Sequence, residues 1–239
     1  MNKVNIYIPS YGRAGNVLTV DLIGKEHCFV VVPESQAVAY KRSGCNVLVI
    51  PDNEDGSVAK KRNAILNHFV NPGEWAFMAD DDLLSINHLK NGTELSCEAL
   101  VEYLEHMQIL ADDMNAGMSG FSVSSDPVKY AEFKPFNLTK QVYAFIGIRN
   151  VSGIRYDERL KAGSDTDICL QYLSRGYRII RDNRYYVKDY KTKAQSGGLS
   201  MDQERRLPYF KILQKKWGSQ VIRLNDSGIE SIKIPINGV

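Results

Sequence analysis

The segment "EWAFMADDD", residues 74–82, joins a run of apolar and aromatic residues to three consecutive aspartates. Its nearly continuous apolar character is typical of a strand that helices cover on both faces. Asp80, Asp81 and Asp82 would then follow the carboxyl end of that strand. Two unit charges about 4 Å apart repel by roughly 4 kcal/mol at an effective dielectric constant near 20. Solvent, a helix N-terminus or a cation must offset this repulsion, and the triplet alone fits a solvated loop as well as a cation site.

Apolar runs on both sides of this segment predict a sheet whose first strands alternate with helices. Runs rich in Val, Ile and aromatic residues indicate strands at 4–10, 28–34, 46–53, 74–79, 116–124, 141–150 and 177–187. Helical spacing and capping residues indicate helices at 55–70, 93–114, 163–177 and 200–217. Ser57 and Thr93 are the predicted N-caps of the first two helices.

This order of elements predicts an α/β fold with a mixed central sheet flanked by helices, parallel at its core and mixed at one edge. We expect a single domain over residues 1–239. The composition, 44% hydrophobic and 24% charged, is that of a soluble globular chain. Without a membrane-spanning run or a signal-peptide pattern, the sequence predicts a cytoplasmic protein. The four cysteines are scattered and indicate neither a disulfide framework nor a zinc site.

Charge is distributed unevenly although the net charge is only +2. Residues 1–148 contain 12 Lys and Arg against 18 Asp and Glu, whereas residues 149–223 contain 17 against 8. Such a division suggests an acidic or metal-binding half and a half that meets a polyanion. A solvated basic surface is the alternative, since uneven charge alone is weak support for a partner.

In open α/β sheets, ligands bind beyond the carboxyl ends of the strands, and several polar side chains are predicted to collect there. The first strand ends at Pro9, Tyr11 and Arg13, the second at Glu34, and the helix before the aspartates carries Arg62. A ring, cations and carboxylates together suit a nucleoside diphosphate with a hard cation. The Gly-rich loops of common NTPases and dinucleotide enzymes are missing from the sequence.

The segment "GSDTD", residues 163–167, permits two interpretations. Ser164 and Asp167 have the spacing of a capping box, and Asp165 would favour the helix dipole, which makes the segment a helix start. A carboxylate at a helix start beside a nucleotide site is also well placed to act as a general base. The residues by themselves leave both interpretations open.

The segments "IYIPSYGR", "AKKRNAIL", "FMADDDL" and "AGSDTDICLQYLSRGY" occur in the order and spacing of GT-A fold glycosyltransferases, over roughly residues 4–180. They resemble inverting members in which an E-D-type motif follows a D-x-D segment. The small size, the opening "IPSYGR" and the basic end look most like the phage DNA-modifying, TET-associated glycosyltransferases. The resemblance implies a metal-dependent, inverting hexosyl- or pentosyltransferase. It would move a sugar from a UDP-sugar to a 5-hydroxymethylated pyrimidine, hydroxymethylcytosine, in phage DNA.

The resemblance also implies roles for individual residues. Asp165 would take the proton of the acceptor hydroxyl, and Asp82 with Asp80 would hold Mn²⁺ or Mg²⁺. Glu34 would lie near the base or ribose, and Arg62 near the diphosphate. The nucleotide-sugar pocket would contain Pro9, Tyr11, Arg13, Glu34, Arg62, Asp80, Asp81, Lys191 and Lys193.

We expect residues 1–115 to bind the nucleotide sugar and metal, and residues 116–239 to bind the acceptor. The loop "KTKAQSGGLS", residues 191–200, contains two lysines that could cover the diphosphate as a closing lid does. The alternative is that this loop is a disordered surface segment. Double-stranded DNA is the expected partner of a monomeric enzyme without membrane contact. Its phosphates would meet Arg178, Arg181, Arg184, Tyr186, Lys188, Arg205 and Arg206.

Two positions depart from the family's pattern. Ser164 stands where the motif usually has Glu, and no histidine follows "YYV", so Asp189 is the nearest candidate for a further metal ligand. Two other functions remain open at this point. The acceptor could be a glycan or a protein, or the chain could be a non-catalytic binding module of the same fold. A nucleotidyltransferase of related fold fits "GSDTD" less well.

Overall fold

The protein was examined as a computed structural model, which describes residues 4–122, 124–190, 203–224 and 230–232. The strands are β1 (Ile6–Pro9), β2 (Cys28–Pro33), β3 (Val47–Ile50), β4 (Trp75–Ala79), β5 (Leu83–His88), β6 (Ala116–Ser122), β7 (Phe136–Asn137), β8 (Phe145–Arg149), β9 (Arg178–Asp189), β10 (Ile222–Leu224) and β11 (Glu230–Ile232). The α-helices are α1 (Leu18–Ile23), α2 (Ala37–Arg42), α3 (Val58–His68), α4 (Cys97–Asp113), α5 (Ser164–Ser174) and α6 (Gln203–Trp217).

Strands β1 to β9 form one sheet in the order β3-β2-β1-β4-β8-β6-β9-β5, and β7 pairs with β9. Strands β1 to β4 are parallel. Strand β8 runs antiparallel to both β4 and β6, and β6 runs parallel to β9. The carboxyl ends of β4, β6 and β9 therefore share one edge of the sheet with those of β1 to β3. The predicted mixed sheet with a parallel core is confirmed.

Alternating side chains on β1 divide the hydrophobic core into two layers. Ile6 and Ile8 belong to a cluster that includes residues of α1, α2 and α4. Tyr7, between them, belongs to a cluster on the other face with residues of α3, α5 and α6. All three side chains are buried, and burying one such side chain contributes about 1.5–3 kcal/mol. Helices thus cover both faces of the strands that carry the site, as the apolar runs predict.

Hydrogen bonds at the helix starts confirm one predicted cap and correct the other. The Ser57 hydroxyl accepts a backbone hydrogen bond of 3.1 Å and caps α3 as predicted. The prediction of Thr93 as the cap of α4 is wrong, because the helix begins after Ser96, whose hydroxyl accepts the capping bond. The His88 amide donates to the Thr93 carbonyl, and the Leu95 amide donates to a carbonyl of β5. Residues 93–95 therefore run beside β5 before the helix starts.

Several short elements were not predicted, including β5, β7, α1, α2 and the pair β10 and β11. Strand β5 follows the aspartates almost without a break and pairs antiparallel with β9 at the edge of the sheet. Helices α1 and α2 have six residues each, which is less than two turns, so no helical period marks them in the sequence. None of the helices in the described ranges is both long and apolar enough to cross a bilayer.

The four cysteines are free thiols in the structure. Burial raises the pKa of both Cys28 and Cys169 to about 12. Because the thiolate is the reactive form, these two side chains act as small apolar groups of the core.

Candidate active site

The loop after β1 and the aspartates after β4 meet at the carboxyl edge of the sheet. Arg13 forms an ion pair with Asp81 and lies 3.4 Å from a carboxylate oxygen of Asp82. The Ser10 hydroxyl donates a hydrogen bond to Asp81 and lies 2.8 Å from the Tyr40 hydroxyl. Ser10 and Arg13 are both buried. A buried guanidinium therefore offsets part of the repulsion within the aspartate triplet.

Arg62 connects the triplet to the start of α5. Its side chain is 1% exposed, and its Nη2 atom lies 2.8 Å from Oδ1 of Asp80. Its Nη1 atom forms an ion pair with Asp165 in the first turn of α5. The Tyr156 ring lies 5.5 Å from the guanidinium carbon. One buried cation thus holds two carboxylates that are far apart in the sequence, and both carboxylates remain partly exposed toward the rim.

Electrostatics at this rim favour one more positive charge. Burial raises the pKa of Asp80 to about 7, together with the charges of Asp165, Asp82 and Asp81, while Arg62 acts in the opposite direction. Burial also raises the pKa of Asp81, although Ser10 and Arg13 oppose the shift. Burial disfavours the charged guanidinium of Arg62, but Asp165, Tyr156 and Asp80 keep its pKa above the ordinary value. Four carboxylates thus face two arginines, which leaves negative charge uncompensated.

The three aspartates do not continue strand β4 as extended chain, because they lead into a turn. Strand β4 ends at Ala79, and residues 81 and 82 lie in a turn before β5. The Thr19 hydroxyl donates to the carbonyl of Asp80, and the Tyr190 amide donates to that of Asp82 at 2.9 Å. Each aspartate therefore has its own environment, with Arg62 at Asp80 and Arg13 at Asp81 and Asp82.

The carboxylates of Asp80 and Asp82 have the chemistry that a hard cation requires. Their side chains are 40% and 19% exposed, and Mg²⁺ or Mn²⁺ needs only one or two protein carboxylates when phosphate oxygens complete the shell. Asp189 pairs in register with Leu83, the residue after Asp82, so it lies beside the triplet. Within residues 4–122, 124–190, 203–224 and 230–232, no three His, Cys, Asp or Glu side chains form a preassembled metal site. The residues fit a cation that arrives with a diphosphate.

Tyr11 and Lys61 form an exposed platform beside this rim. The Tyr11 side chain is 57% exposed, and Nζ of Lys61 lies 5.5 Å from the centre of its ring. Lys61 is itself buried, donates to the Ser10 carbonyl and pairs with Asp55 at 3.0 Å. Burial lowers the pKa of Lys61 despite the attraction of Asp55. An exposed ring above a fixed cation can stack on a planar base.

Two further predicted pocket residues lie at the ends of neighbouring strands. Pro9 is the last residue of β1, which pairs with β2. Glu34 is exposed in the turn that follows β2. Both therefore lie at the same edge as Tyr11. Lys191 and Lys193 lie outside the described residues.

The capping-box interpretation of "GSDTD" is wrong. Gly163, at φ +77°, precedes α5, and no side chain caps the helix. Asp167 is instead fully buried and accepts hydrogen bonds from the Trp217 indole at 2.7 Å and from Lys216. Gln171 donates a third bond at 2.8 Å. Tertiary donors from the end of α6 have replaced the local capping bond, and Asp165 is left to pair with Arg62.

Replacing Trp217 with Phe should weaken the attachment of α6 to α5. The variant removes the indole donor from the buried Asp167 carboxylate, and a lost bond to a buried charged group costs about 1–3 kcal/mol. The matched control is Lys215→Gln, which lies two residues before Trp217 and is exposed; it should change stability by less than about 0.5 kcal/mol. Urea unfolding of both variants checks the prediction. Equal midpoints for the wild type and Trp217→Phe would contradict it.

The residues predicted to meet DNA fall on β9 and α6 in different environments. On β9, Arg178 is exposed and donates to the Met114 carbonyl at 2.7 Å, and Lys188 is exposed near the end of the strand. Arg184 is held by the buried Asp182 at 2.6 Å, which leaves it less free to meet a phosphate. The other residues of the set are partly or fully exposed: Arg181, Tyr186, Arg205 and Arg206.

Sequence reasoning placed Ser10 and Lys61 at this rim but missed Tyr40, which organises the rim with them. No local pattern marked Tyr40. Its hydroxyl accepts a hydrogen bond of 2.9 Å from the Arg13 amide across the chain fold, a contact that only the tertiary structure creates.

The fold of the chain is similar to that of solved enzyme structures. Glucosyl-3-phosphoglycerate synthase from Mycobacterium tuberculosis, solved with Mn²⁺, UDP-glucose and phosphoglyceric acid, is similar at a TM-score of 0.54 and 11% identity, over 99% of this chain and 88% of that one. TarS 1-349 from S. aureus is similar at a TM-score of 0.47 and 18% identity over 77% of this chain, which spans 60% of that one. The central mixed sheet with helices on both faces is therefore that of a GT-A fold.

Residues 4–198 match the TET-associated glycosyltransferases. The chain belongs to this family. A comparison with curated protein sequences found no match.

Proposed function

We propose that the protein is a metal-dependent glycosyltransferase that moves a sugar from a UDP-sugar to hydroxymethylcytosine in phage DNA. The contact that supports this most is the Arg62 bridge, because it brings Asp80 of the triplet and Asp165 of α5 to one rim. The Mycobacterium tuberculosis enzyme with the same fold was solved with UDP-glucose and Mn²⁺, which supports the donor class and the cation.

The donor would bind across the ends of β1, β2 and β4. Tyr11 stacks on the uracil, and Glu34 accepts a hydrogen bond from the base or ribose. Pro9 shapes the pocket, while Arg13 and Asp81 fix the loop that follows β1. Lys191 and Lys193, which follow β9 in the sequence, are the remaining proposed donor contacts.

The cation would be held by Asp82 and Asp80. A divalent ion supplies positive charge that stabilises the diphosphate leaving group. Arg62 keeps Asp80 oriented at 2.8 Å and adds its own charge beside the diphosphate. These residues therefore bind the part of the donor that departs.

The chemistry itself would depend on Asp165. Its carboxylate takes the proton of the acceptor hydroxyl, the hydroxyl oxygen forms a bond to the anomeric carbon, and the bond from that carbon to the diphosphate breaks. Attack from the face opposite the leaving group inverts the anomeric centre. The ion pair with Arg62 fixes the Asp165 carboxylate at the start of α5.

The acceptor half would use the excess of positive charge in residues 149–223. Arg178, Arg181, Tyr186 and Lys188 on β9 lie in the same strand as Arg184, and Arg205 and Arg206 follow on α6. Phosphate contacts of this kind orient a duplex without reading its sequence. The family's association with TET enzymes, which its name states, supports a modified base as the acceptor.

Mass spectrometry of hydroxymethylcytosine DNA after incubation with a panel of UDP-sugars and Mn²⁺ tests the proposal. A mass increase of one hexosyl or pentosyl group on the modified base is expected, and transfer should decline steeply as salt increases. Transfer to a glycan or protein instead of DNA would overturn the acceptor. Neither hydrolysis nor transfer with any donor would favour a binding module of the same fold.

A further inference from the structure

A basic cavity opens at the carboxyl end of β6, beside the candidate active site. Its volume is about 310 Å³. Three cations and four hydroxyl or amide side chains contribute to its wall, and no acidic residue does. The lining residues are Leu89, Ser122, Ser124, Lys129, Ala131, Lys134, Asn137, Arg181 and Asn183. Such a wall is suited to an anion that also accepts several hydrogen bonds.

Arg181 is the innermost cation of this cavity. Its side chain is half-buried, and its Nε atom donates to Oδ1 of Asn183 at 3.1 Å. Burial lowers the pKa of Arg181, and Tyr143 opposes this shift. Among the described residues, no carboxylate forms an ion pair with Arg181, Lys129 or Lys134. The cavity therefore holds positive charge that no acidic side chain of the described chain neutralises.

The acids of the adjacent loop have other partners. The carboxylate of Asp126 accepts a hydrogen bond of 3.1 Å from the Val128 amide, and Glu132 pairs with Lys90 at 3.2 Å. Asp182 precedes Asn183 but is fully buried and binds Arg184. These contacts leave the cavity free to receive an external anion.

The cavity is electrostatically coupled to the catalytic position through Tyr143. Burial raises the pKa of Tyr143, the charge of Arg181 lowers it and the charge of Asp165 raises it. Tyr143 therefore lies within range of both groups. Ser122, at the end of β6, also lies on the edge that carries Asp80. We expect an acceptor whose hydroxyl reaches Asp165 to extend toward this cavity.

Two exposed apolar side chains beside the cavity indicate what kind of anion it receives. Val128 is 90% exposed and Phe133 is fully exposed, and each is next to a lysine of the cavity. A small phosphorylated sugar would leave both in water. A nucleic acid strand offers phosphates for the lysines and base faces for the apolar groups.

We propose that this cavity binds a backbone phosphate of the DNA acceptor next to the modified nucleotide. The inference rests on the proposed function for the acceptor but adds a site of its own. Lys129, Lys134 and Arg181 would neutralise the phosphate, and Ser122, Ser124 and Asn183 would donate hydrogen bonds to its oxygens. The phosphate would thereby fix the register of the strand, so that the hydroxymethyl group meets Asp165.

Charge-removing variants test the site on DNA. Lys134→Gln and Arg181→Gln should each raise the KM for a short hydroxymethylcytosine duplex about tenfold or more. Each should also reduce the slope of log affinity against log salt by about 1. The matched control is Lys41→Gln on α2, which packs beside β3 at the opposite edge of the sheet and should leave both quantities unchanged. Equal effects of all three variants would overturn the proposal.

A neutral linkage in the DNA locates the phosphate. Methylphosphonate substitution, one position at a time, should raise the KM of the wild type at one linkage beside the modified base. At that linkage, Lys134→Gln and Arg181→Gln should add no further loss, because the charge that they contact is already gone. Additive losses at every position would overturn the assignment.

A second measurement separates this proposal from the choice of acceptor. Titration of the ¹⁵N-labelled full chain with inorganic phosphate at low salt should shift the amides of Ser122, Ser124 and Asn183, and the shifts should disappear in Lys134→Gln/Arg181→Gln. If phosphate shifts these amides but DNA is not modified, the DNA acceptor is wrong and the phosphate site stands. If DNA is modified, but phosphate does not shift these amides and the variants do not change the KM for DNA, the phosphate site is wrong and the DNA acceptor stands.

Discussion

Asp165→Asn should reduce sugar transfer by about 10²–10⁴-fold, which is the usual contribution of a positioned general base. The amide keeps the shape of the carboxylate and can still accept a hydrogen bond from Arg62, but it cannot take the acceptor proton. UDP binding, measured by calorimetry with Mn²⁺ present, should stay within about threefold of the wild type, since Asp165 is not among the proposed donor contacts. A loss confined to turnover would therefore separate the base from the donor site.

The matched control for this variant is Asp113→Asn. Asp113 ends α4, is exposed, and loses the same charge in the substitution. The turnover of Asp113→Asn should equal that of the wild type. Transfer by Asp165→Asn within about tenfold of the wild type would remove Asp165 from the role of base, because a single general base is rarely worth so little.

Arg62→Met should produce the largest loss of stability, about 3–5 kcal/mol, together with loss of transfer. The substitution leaves Asp80 and Asp165 without the buried cation that pairs with both, and breaking a buried ion pair by removing one partner has this magnitude. Chemical unfolding and transfer assays check it. The stability loss should shrink as the pH falls from about 8 to about 5. Arg62 lowers the pKa of Asp80, so without Arg62 the folded variant binds a proton at Asp80 more readily than the folded wild type does.

Two further variants test whether the loss of stability in Arg62→Met comes from the ion pairs of Arg62 with Asp80 and Asp165. Arg62→Lys retains one charge but lacks the two-pronged geometry, so it should be intermediate. Arg62→Met/Asp165→Asn removes one unpaired carboxylate and should be less destabilised than the sum of the single variants. A stability loss below about 1 kcal/mol for Arg62→Met would contradict the bridge.

The sequence predicted the parts of the fold that local patterns encode. The apolar run before Asp80 and the cap at Ser57 were found, because strand burial and helix capping depend on neighbouring residues. Helices α1 and α2 were missed because six residues are too few to show a period. Thr93 was a reasonable cap in isolation, but pairing beside β5 moved the helix start to Ser96.

The sequence predicted which residues form the candidate site, but not which of them form ion pairs with one another. The resemblance brought Arg62, Asp80 and Asp165 to one rim and implied that Arg62 lies near the diphosphate, but it did not indicate that Arg62 pairs with both carboxylates. The structure pairs Arg62 with both carboxylates. Asp167 shows the same limit, because its spacing indicates a local cap while its donors come from α6, about 50 residues later. Long-range ion pairs leave no mark in local sequence spacing.

The attachment of α6 to α5 also determines how much of the chain must be present for folding. The segment that matches the family ends at residue 198. Leu213, Ile222 and Ile232 nevertheless belong to the same buried cluster as α5. A chain truncated after residue 198 would expose that apolar surface to water. It would also leave the Asp167 carboxylate without its donors Trp217 and Lys216. We therefore expect the segment that folds on its own to be longer than residues 4–198, which match the family, and to extend at least to residue 232.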